Sequence, residues 1–180
     1  AGFTGASAGS LLPAHEELRG AIDLHHKEGG VRKRDRDMLG GILDLGDTHV
    51  DEVMVHRKSM LMIDADLPST EIVRQALDSP YTRIPLWSNE PENIIGVLHA
   101  KDLLRALAAS TSGIENLDLR QLATPPWFVP ETTLLIEQLN EFRTRKAHFA
   151  LVVDEYGALM GLVTMEDILE EIVGHIDDEH

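Results

Sequence analysis

Thr164 and Asp167, in the run LVTMEDILEE, are the residues best suited by type and spacing to do chemistry. An apolar stretch ends at Thr164 and a helical pattern begins after it, so the pair lies where a strand gives way to a helix. Unpaired backbone N–H groups and the positive end of the helix dipole make such a place favourable for a negatively charged group, a phosphate among them. The same T-x-x-D spacing also describes a capping box, in which Thr caps the helix and the acid reaches back to a backbone amide. Spacing alone leaves both readings open. Carboxylates crowd the same region, with Glu166, Glu170 and Glu171 on the helix and Asp177, Asp178 and Glu179 beyond it. A solvated acidic face accounts for them, and so does a Mg²⁺ site, because hard cations prefer oxygen ligands and Mg²⁺ often bridges carboxylate to phosphate.

Signatures of enzymatic chemistry are missing where a sequence would display them. His15-Glu16-Glu17-Leu18-Arg19 fails the H-E-x-x-H pattern at its last position, and neither a P-loop nor a G-x-S-x-G elbow is present. The adjacent His25 and His26 fall on different faces of a helix and make a poor metal pair. Asp47, His49 and Asp51 could hold a metal if extended, since alternate residues then point the same way, with a polar turn as the plainer reading. The absence of cysteine excludes a disulfide framework and every thiolate metal site. A net charge of −15 argues against nucleic acid as a partner, and 4% aromatic residues argue against a surface that stacks bases on several rings. The chain is therefore read as a binding body and not an enzyme.

The elements that must position these residues come from an internal repeat, a pattern worth testing first in any chain. Pro85 precedes Gly96 by eleven residues and Ala150 precedes Gly161 by eleven; His99, Asp102 and Leu104 then match Thr164, Asp167 and Leu169 at the same offsets. Upstream, Ile63-Asp64-Ala65-Asp66 pairs with Val129-Pro130-Glu131-Thr132 after a slip of one residue. Each copy reads as strand, helix, strand, turn, strand, helix, with Asp154-Glu155-Tyr156-Gly157 marking the second turn. A three-stranded sheet with helices on one face cannot bury both faces alone, so an α/β body of two βαββα units packed sheet to sheet about a pseudo-twofold axis is expected, with clefts between the units as ligand sites.

Before the repeat, two amphipathic helical pieces flank Gly29-Gly30, the second spanning 36–45 and suited to pack on a larger body. The expected division is 1–12 disordered or a cloning remnant, 13–48 a helical linker, 49–110 the first unit and 111–180 the second. With 43% hydrophobic and 26% charged residues the composition is that of a globular protein, its core drawn from Leu, Ile, Val, Ala and Met. No run approaches the roughly 18 apolar residues needed to span a bilayer.

Four segments carry a resemblance: VDEVMVHR (50–57), YTRIPLW (81–87), GVLHAKDLL (96–104) and HFALVVDEYGALMGLVTMEDILEEIVGHIDDE (148–179). With them the chain resembles a tandem pair of CBS domains, and in particular the pair of bacterial magnesium/cobalt efflux proteins, their hemolysin-like relatives and the CNNM magnesium transporters. The resemblance implies a regulatory module that binds AMP or ATP between its units, with Mg²⁺ as an accompanying ion. It further implies a homodimer on the cytoplasmic face of a membrane, joined to a membrane transport domain and continuing into a small C-terminal domain.

In such a pair the YTRIP stretch of one unit faces the Thr/Asp motif of the other. Asp167 would then accept from the ribose hydroxyls, Thr164 would bond ribose or phosphate, Arg83 would pair with phosphate, and Tyr81, Thr82 and Pro85 would close on the adenosine. Ile63 and Ile84 are candidates to line the adenine slot, core packing being their other explanation. A second, weaker site would involve His99, Asp102 and His148; His99 replaces Thr there, and His148, Phe149 and Ala150 depart from the YTRIP pattern. Two other classes remain: a structural dimerisation module with a vestigial nucleotide cleft, and a His/carboxylate metal-dependent hydrolase, which the missing motifs disfavour.

Overall fold

Helix α1 (Leu11–Lys27) ends in His25, His26 and Lys27, basic residues that suit the negative end of a helix dipole. The chain then turns at Gly29, whose φ of +83° is open to glycine and strained for other residues, and re-enters helix α2 (Lys33–Asp44). The expected break between two helical pieces falls here. The computed structural model describes residues 11–174. The acidic tail 177–179 and most of the expected 1–12 lead lie outside the described residues.

Strand β1 (Val55–His56) follows a single 3₁₀ turn at Val50–Glu52, and a second 3₁₀ turn, Arg57–Ser59, leads to strand β2 (Ile63–Asp64). The first unit continues with α3 (Ser69–Asp78), β3 (Arg83–Ser88), β4 (Glu90–His99) and α4 (Ala100–Ala109). A short helix α5 (Leu119–Leu122) precedes the second unit, made of β5 (Phe128–Pro130), α6 (Leu135–Arg145), β6 (Phe149–Val153), β7 (Leu159–Thr164) and α7 (Met165–Val173). Each unit is thus strand, helix, hairpin, helix. In both, the first strand runs parallel to the second and the hairpin is antiparallel. The second hairpin turns at Gly157, with φ +81°, while the Asp154 carboxylate accepts from the Tyr156 and Ala158 amides at 2.9 and 2.8 Å.

Alternation along the strands fixes which face is buried. In β6 and β7 the residues Ala150, Val152 and Val163 face a core completed by Leu135, Phe142 and Ile168, whereas Leu151 and Leu159 face the other way. The first unit closes a matching core on Ile63, Ile84, Leu86, Leu98 and Leu103 under α3 and α4. Between the sheets a third cluster joins Ile94 of β4 to Leu151 and Leu159, with Met60, Met62, Trp87, Phe149 and Leu162 around them. Two βαββα units packed sheet to sheet, preceded by helices, is the fold expected from the repeat.

The strand count departs from that expectation. The first sheet has three strands in the order β2-β3-β4, but the second has four, β1-β7-β6-β5. Strand β1 leads the first unit yet pairs with β7 of the second, Val55 opposite Leu162 and His56 opposite Gly161. In return, Leu119 enters the first unit's core and Thr124 exchanges backbone hydrogen bonds of 2.9 Å with Val97 of β4. Each unit therefore receives the leading segment of the other. Gly96 and Gly161, equivalent in the repeat, are where these segments cross. A Cβ on Gly161 would strike the Val55 carbonyl, and one on Gly96 would come within 2.8 Å of the Ala123 methyl.

Helix α2 lies across α7 at backbone contact: a side chain at Gly41 would collide with the Glu171 carbonyl and Ile172. The Arg19–Asp44 ion pair, at 2.6 Å, ties α1 to the same corner.

Candidate functional site

Residues far apart in sequence come together at the N-terminus of α7. A cavity of about 320 Å³ is lined there by Tyr81, Thr82 and Arg83 from the start of β3 and by Thr164, Glu166 and Asp167. The order of the elements accounts for the meeting. β3 begins at the edge where the first unit's sheet meets the second, and β7 ends at the same edge because the sheets are stacked face to face. Val55 and Leu162, paired across β1 and β7, form part of the apolar floor with Phe149, and Ser59, Met60, Leu61 and Pro80 complete the wall.

The capping box anticipated at Thr164 is formed. The Asp167 amide donates to the Thr164 hydroxyl at 3.2 Å, and the Thr164 amide donates to Asp167 Oδ2 at 2.9 Å. Capping leaves the hydroxyl proton and Asp167 Oδ1 without a protein partner among the described residues, so the same two side chains retain a donor and an acceptor for a ligand. Both are half-buried, while Glu166 is exposed at the rim. Arg83 is half-buried as well, and among the described residues it makes no ion pair with a carboxylate. The cleft therefore offers a guanidinium, the positive end of a helix dipole, a hydroxyl, a carboxylate and an apolar wall containing an adaptable methionine.

Other sequence-derived candidates lie elsewhere. Ile63 and Ile84 are each 1% exposed and belong to the first unit's core, so the adenine-slot role expected for them does not fit their positions. Alternation explains it for Ile84: successive residues of β3 point to opposite faces, so with Arg83 toward the cleft Ile84 takes the core side. Pro85 is buried opposite Val97 within the hairpin and does not line the cavity. The apolar wall comes instead from Met60 and Leu61, which sequence reasoning missed because they sit in an irregular segment with no periodicity. Of the metal candidates, Glu166 borders the cleft; Glu170 is exposed away from it, and Glu171 lines a separate cavity between α7 and the leading helices.

The equivalent cleft of the other half is different. A cavity of about 250 Å³ brings together Arg83, His99, Lys146 and His148 with Thr124 and Trp127. Asp102, expected there with the two histidines, is not among its lining residues and lies 3.5 Å from Arg105 on its own helix. His99 caps α4 without a side-chain hydrogen bond to the helix and contacts the Thr124 hydroxyl at 3.3 Å. Its pKa is depressed below the ordinary imidazole value by burial and then by the Arg83 charge, with Asp102 opposing.

The stretch considered for a metal, Asp47, His49 and Asp51, is not extended, because Val50–Glu52 forms a 3₁₀ turn. His49, Asp51 and Glu52 bring exposed ligand atoms within 4.8 Å of one another. Glu52 is already engaged in capping that turn, accepting from the His49 amide at 2.9 Å.

Two βαββα units that trade leading segments and leave a cleft on either side of their joint define a tandem domain pair. The chain belongs to the CBS domain family, whose model matches residues 50–109 and again 118–174. Among relatives, it is 40% identical over 164 residues to a UPF0053 protein of Mycobacterium tuberculosis, an alignment covering 91% of this chain and 38% of that protein. It is 38% identical over 168 residues to the magnesium and cobalt efflux protein CorC of Pasteurella multocida, covering 93% of this chain and 55% of the relative. The chain thus spans between about a third and about a half of these relatives' length.

Solved structures agree on the fold. The CBS domain of a bacterial CNNM/CorC family Mg²⁺ transporter superposes with a TM-score of 0.81 at 34% identity, covering 91% of this chain and 98% of that one. A complex of such a domain with ATP matches with a TM-score of 0.71 at 37% identity, covering 78% and 97%. A CBS-domain pair from Klebsiella pneumoniae with bound AMP matches at 0.65 and 38% identity, covering 71% and 99%.

Proposed function

We infer that this chain is the regulatory nucleotide-binding module of a magnesium or cobalt efflux protein, taking AMP or ATP in the cleft between Tyr81-Thr82-Arg83 and Thr164/Asp167. The observation that carries the reading is that one cavity gathers a guanidinium and a helix N-terminus for phosphate together with a half-buried carboxylate and hydroxyl for ribose. In this reading Asp167 Oδ1 accepts from the ribose, Arg83 meets phosphate, and Met60 and Leu61 hold the base. Glu166, at the rim, is placed to share a Mg²⁺ with the phosphates of ATP. Complexes of similar domains with ATP and with AMP support the ligand class.

The names of an efflux protein and of a Mg²⁺ transporter among the similar proteins support a place beside a membrane transport domain, and the cytoplasmic face of that membrane is the position this reading gives the module. Among the described residues no helix is long and apolar enough to cross a membrane. Residues 13–48 act as the linker, with 49–110 and 111–180 as the two units. A homodimer would cover Leu77 and Leu104, each 56% exposed on the neighbouring helices α3 and α4; sedimentation of the wild type against a Leu77→Lys, Leu104→Lys variant tests this.

Thermal unfolding with AMP, ADP and ATP, each with and without Mg²⁺, tests the nucleotide reading. Binding to the folded state alone stabilises by about 2.7 kcal/mol at about a hundredfold excess over Kd. A rise in melting temperature that Asp167→Ala abolishes is the expected result; no rise with any nucleotide would leave a dimerisation module with a vestigial cleft.

A further inference from the structure

The second cavity is not a weaker copy of the first. Four of its lining residues, Arg83, His99, Lys146 and His148, carry basic side chains, and no aspartate or glutamate lines it, in a chain whose net charge is −15. Among the described residues, Arg83, Lys146 and His148 make no ion pair with a carboxylate. The groups that would recognise a nucleoside are missing. Lys146 and Ala147 stand where the first cleft has Tyr81 and Thr82, His99 stands for Thr164, and Asp102 is turned to Arg105. The ring of Trp127 is occupied as well, with the Arg145 guanidinium 4.5 Å from its centroid and Phe142 edge-on at 5.5 Å.

We propose that this cleft is a binding site for a compact phosphate-type anion, such as pyrophosphate or a phosphate monoester, recognised by charge and hydrogen bonding without contact to a base. Charged and hydrogen-bonding basic groups gathered in a concave, partly desolvated place concentrate anions, and Lys146 and His148 sit at the exposed mouth while Arg83 and His99 lie half-buried behind them. Thr124, beside His99, adds a hydroxyl that can turn to donate. Burial first and the Arg83 charge second depress the pKa of His99, which places the imidazole close to that guanidinium inside the cleft. The site shares Arg83 with the first cleft, and its other basic residues, His99, Lys146 and His148, are its own.

The test is titration of the chain with sodium pyrophosphate at constant ionic strength, followed by the imidazole resonances of its histidines in ¹H–¹³C spectra. Saturable shifts at His99 and His148, with His25 and His26 of α1 unmoved, are expected in the millimolar range or tighter. Lys146→Gln and His148→Gln are each expected to weaken binding by about tenfold, the loss of one charge-assisted contact. Both positions are exposed, and unchanged melting temperatures would show that the variants remain folded. No saturable shift up to about 10 mM, equal shifts at the α1 histidines, or full affinity in both variants would overturn the proposal.

Discussion

The two clefts occupy equivalent places in a repeated fold, yet one presents Thr164 and Asp167 to Arg83 and the other presents His99 and His148 to the same arginine. The scaffold is therefore not what sets the chemistry of a cleft; its lining residues are. Both halves place a β-strand's end and a helix start at the sheet joint. What differs is whether the residue at the strand end carries a short hydroxyl that both caps the helix and leaves a proton to donate. Thr164 does, and His99 leaves α4 without a side-chain cap.

The largest contrast expected between the halves is in stability. Gly161→Ala drives a methyl into the Val55 carbonyl, a backbone atom held by the β1–β7 pairing, and is expected to cost about 2–3 kcal/mol. Gly96→Ala meets the Ala123 methyl at 2.8 Å, in a segment joined to β4 by a single bridge, and is expected to cost about 1–2 kcal/mol. Denaturant midpoints at constant slope measure both, and a reversed order would break the account of exchanged leading segments.

Capping gives a smaller contrast. Thr164→Ala should cost about 1 kcal/mol of stability without ligand, whereas His99→Thr should gain about 0.5–1 kcal/mol by installing the missing cap above Asp102. If His99→Thr is neutral, the α4 start differs from that of α7 in more than its capping residue.

The smallest effect is electrostatic. His99 titrates lower in the folded chain than the ordinary value of 6.5, so folding favours its neutral form. Stability from this group is whole above about pH 6.5 and declines as pH falls through the unfolded value toward the depressed folded one. Comparing melting temperatures between about pH 7.5 and pH 5, Arg83→Gln should lose less stability than the wild type as pH falls, because part of the depression comes from Arg83. An unchanged slope in the variant would remove Arg83 from that role.

Much of this was legible in the sequence because each half repeats strong local signals. The equal Pro85–Gly96 and Ala150–Gly161 intervals fixed both hairpins, and the T-x-x-D run fixed the start of α7. Strand β1 was not legible, since two residues carry no periodicity and its pairing with β7 crosses from one half to the other. The role of Gly96 and Gly161 was likewise hidden until the crossing segments were in view. At the cleft, polar residues stood out by type, and the cavity gathers Tyr81, Thr82, Arg83, Thr164 and Asp167. The apolar wall did not stand out. Ile63 and Ile84 resemble Met60 and Leu61 in chemistry, and only the strand direction tells which pair serves the core.

The most direct test of the central claim is calorimetric titration of ATP, with Mg²⁺, into the wild type, Asp167→Asn and Asp102→Asn. The account predicts a single nucleotide per chain, binding abolished or weakened by more than about tenfold in Asp167→Asn and unchanged in Asp102→Asn. Equal affinity in Asp167→Asn, or loss of binding in Asp102→Asn alone, would contradict it and place the nucleotide in the other cleft or nowhere in this module.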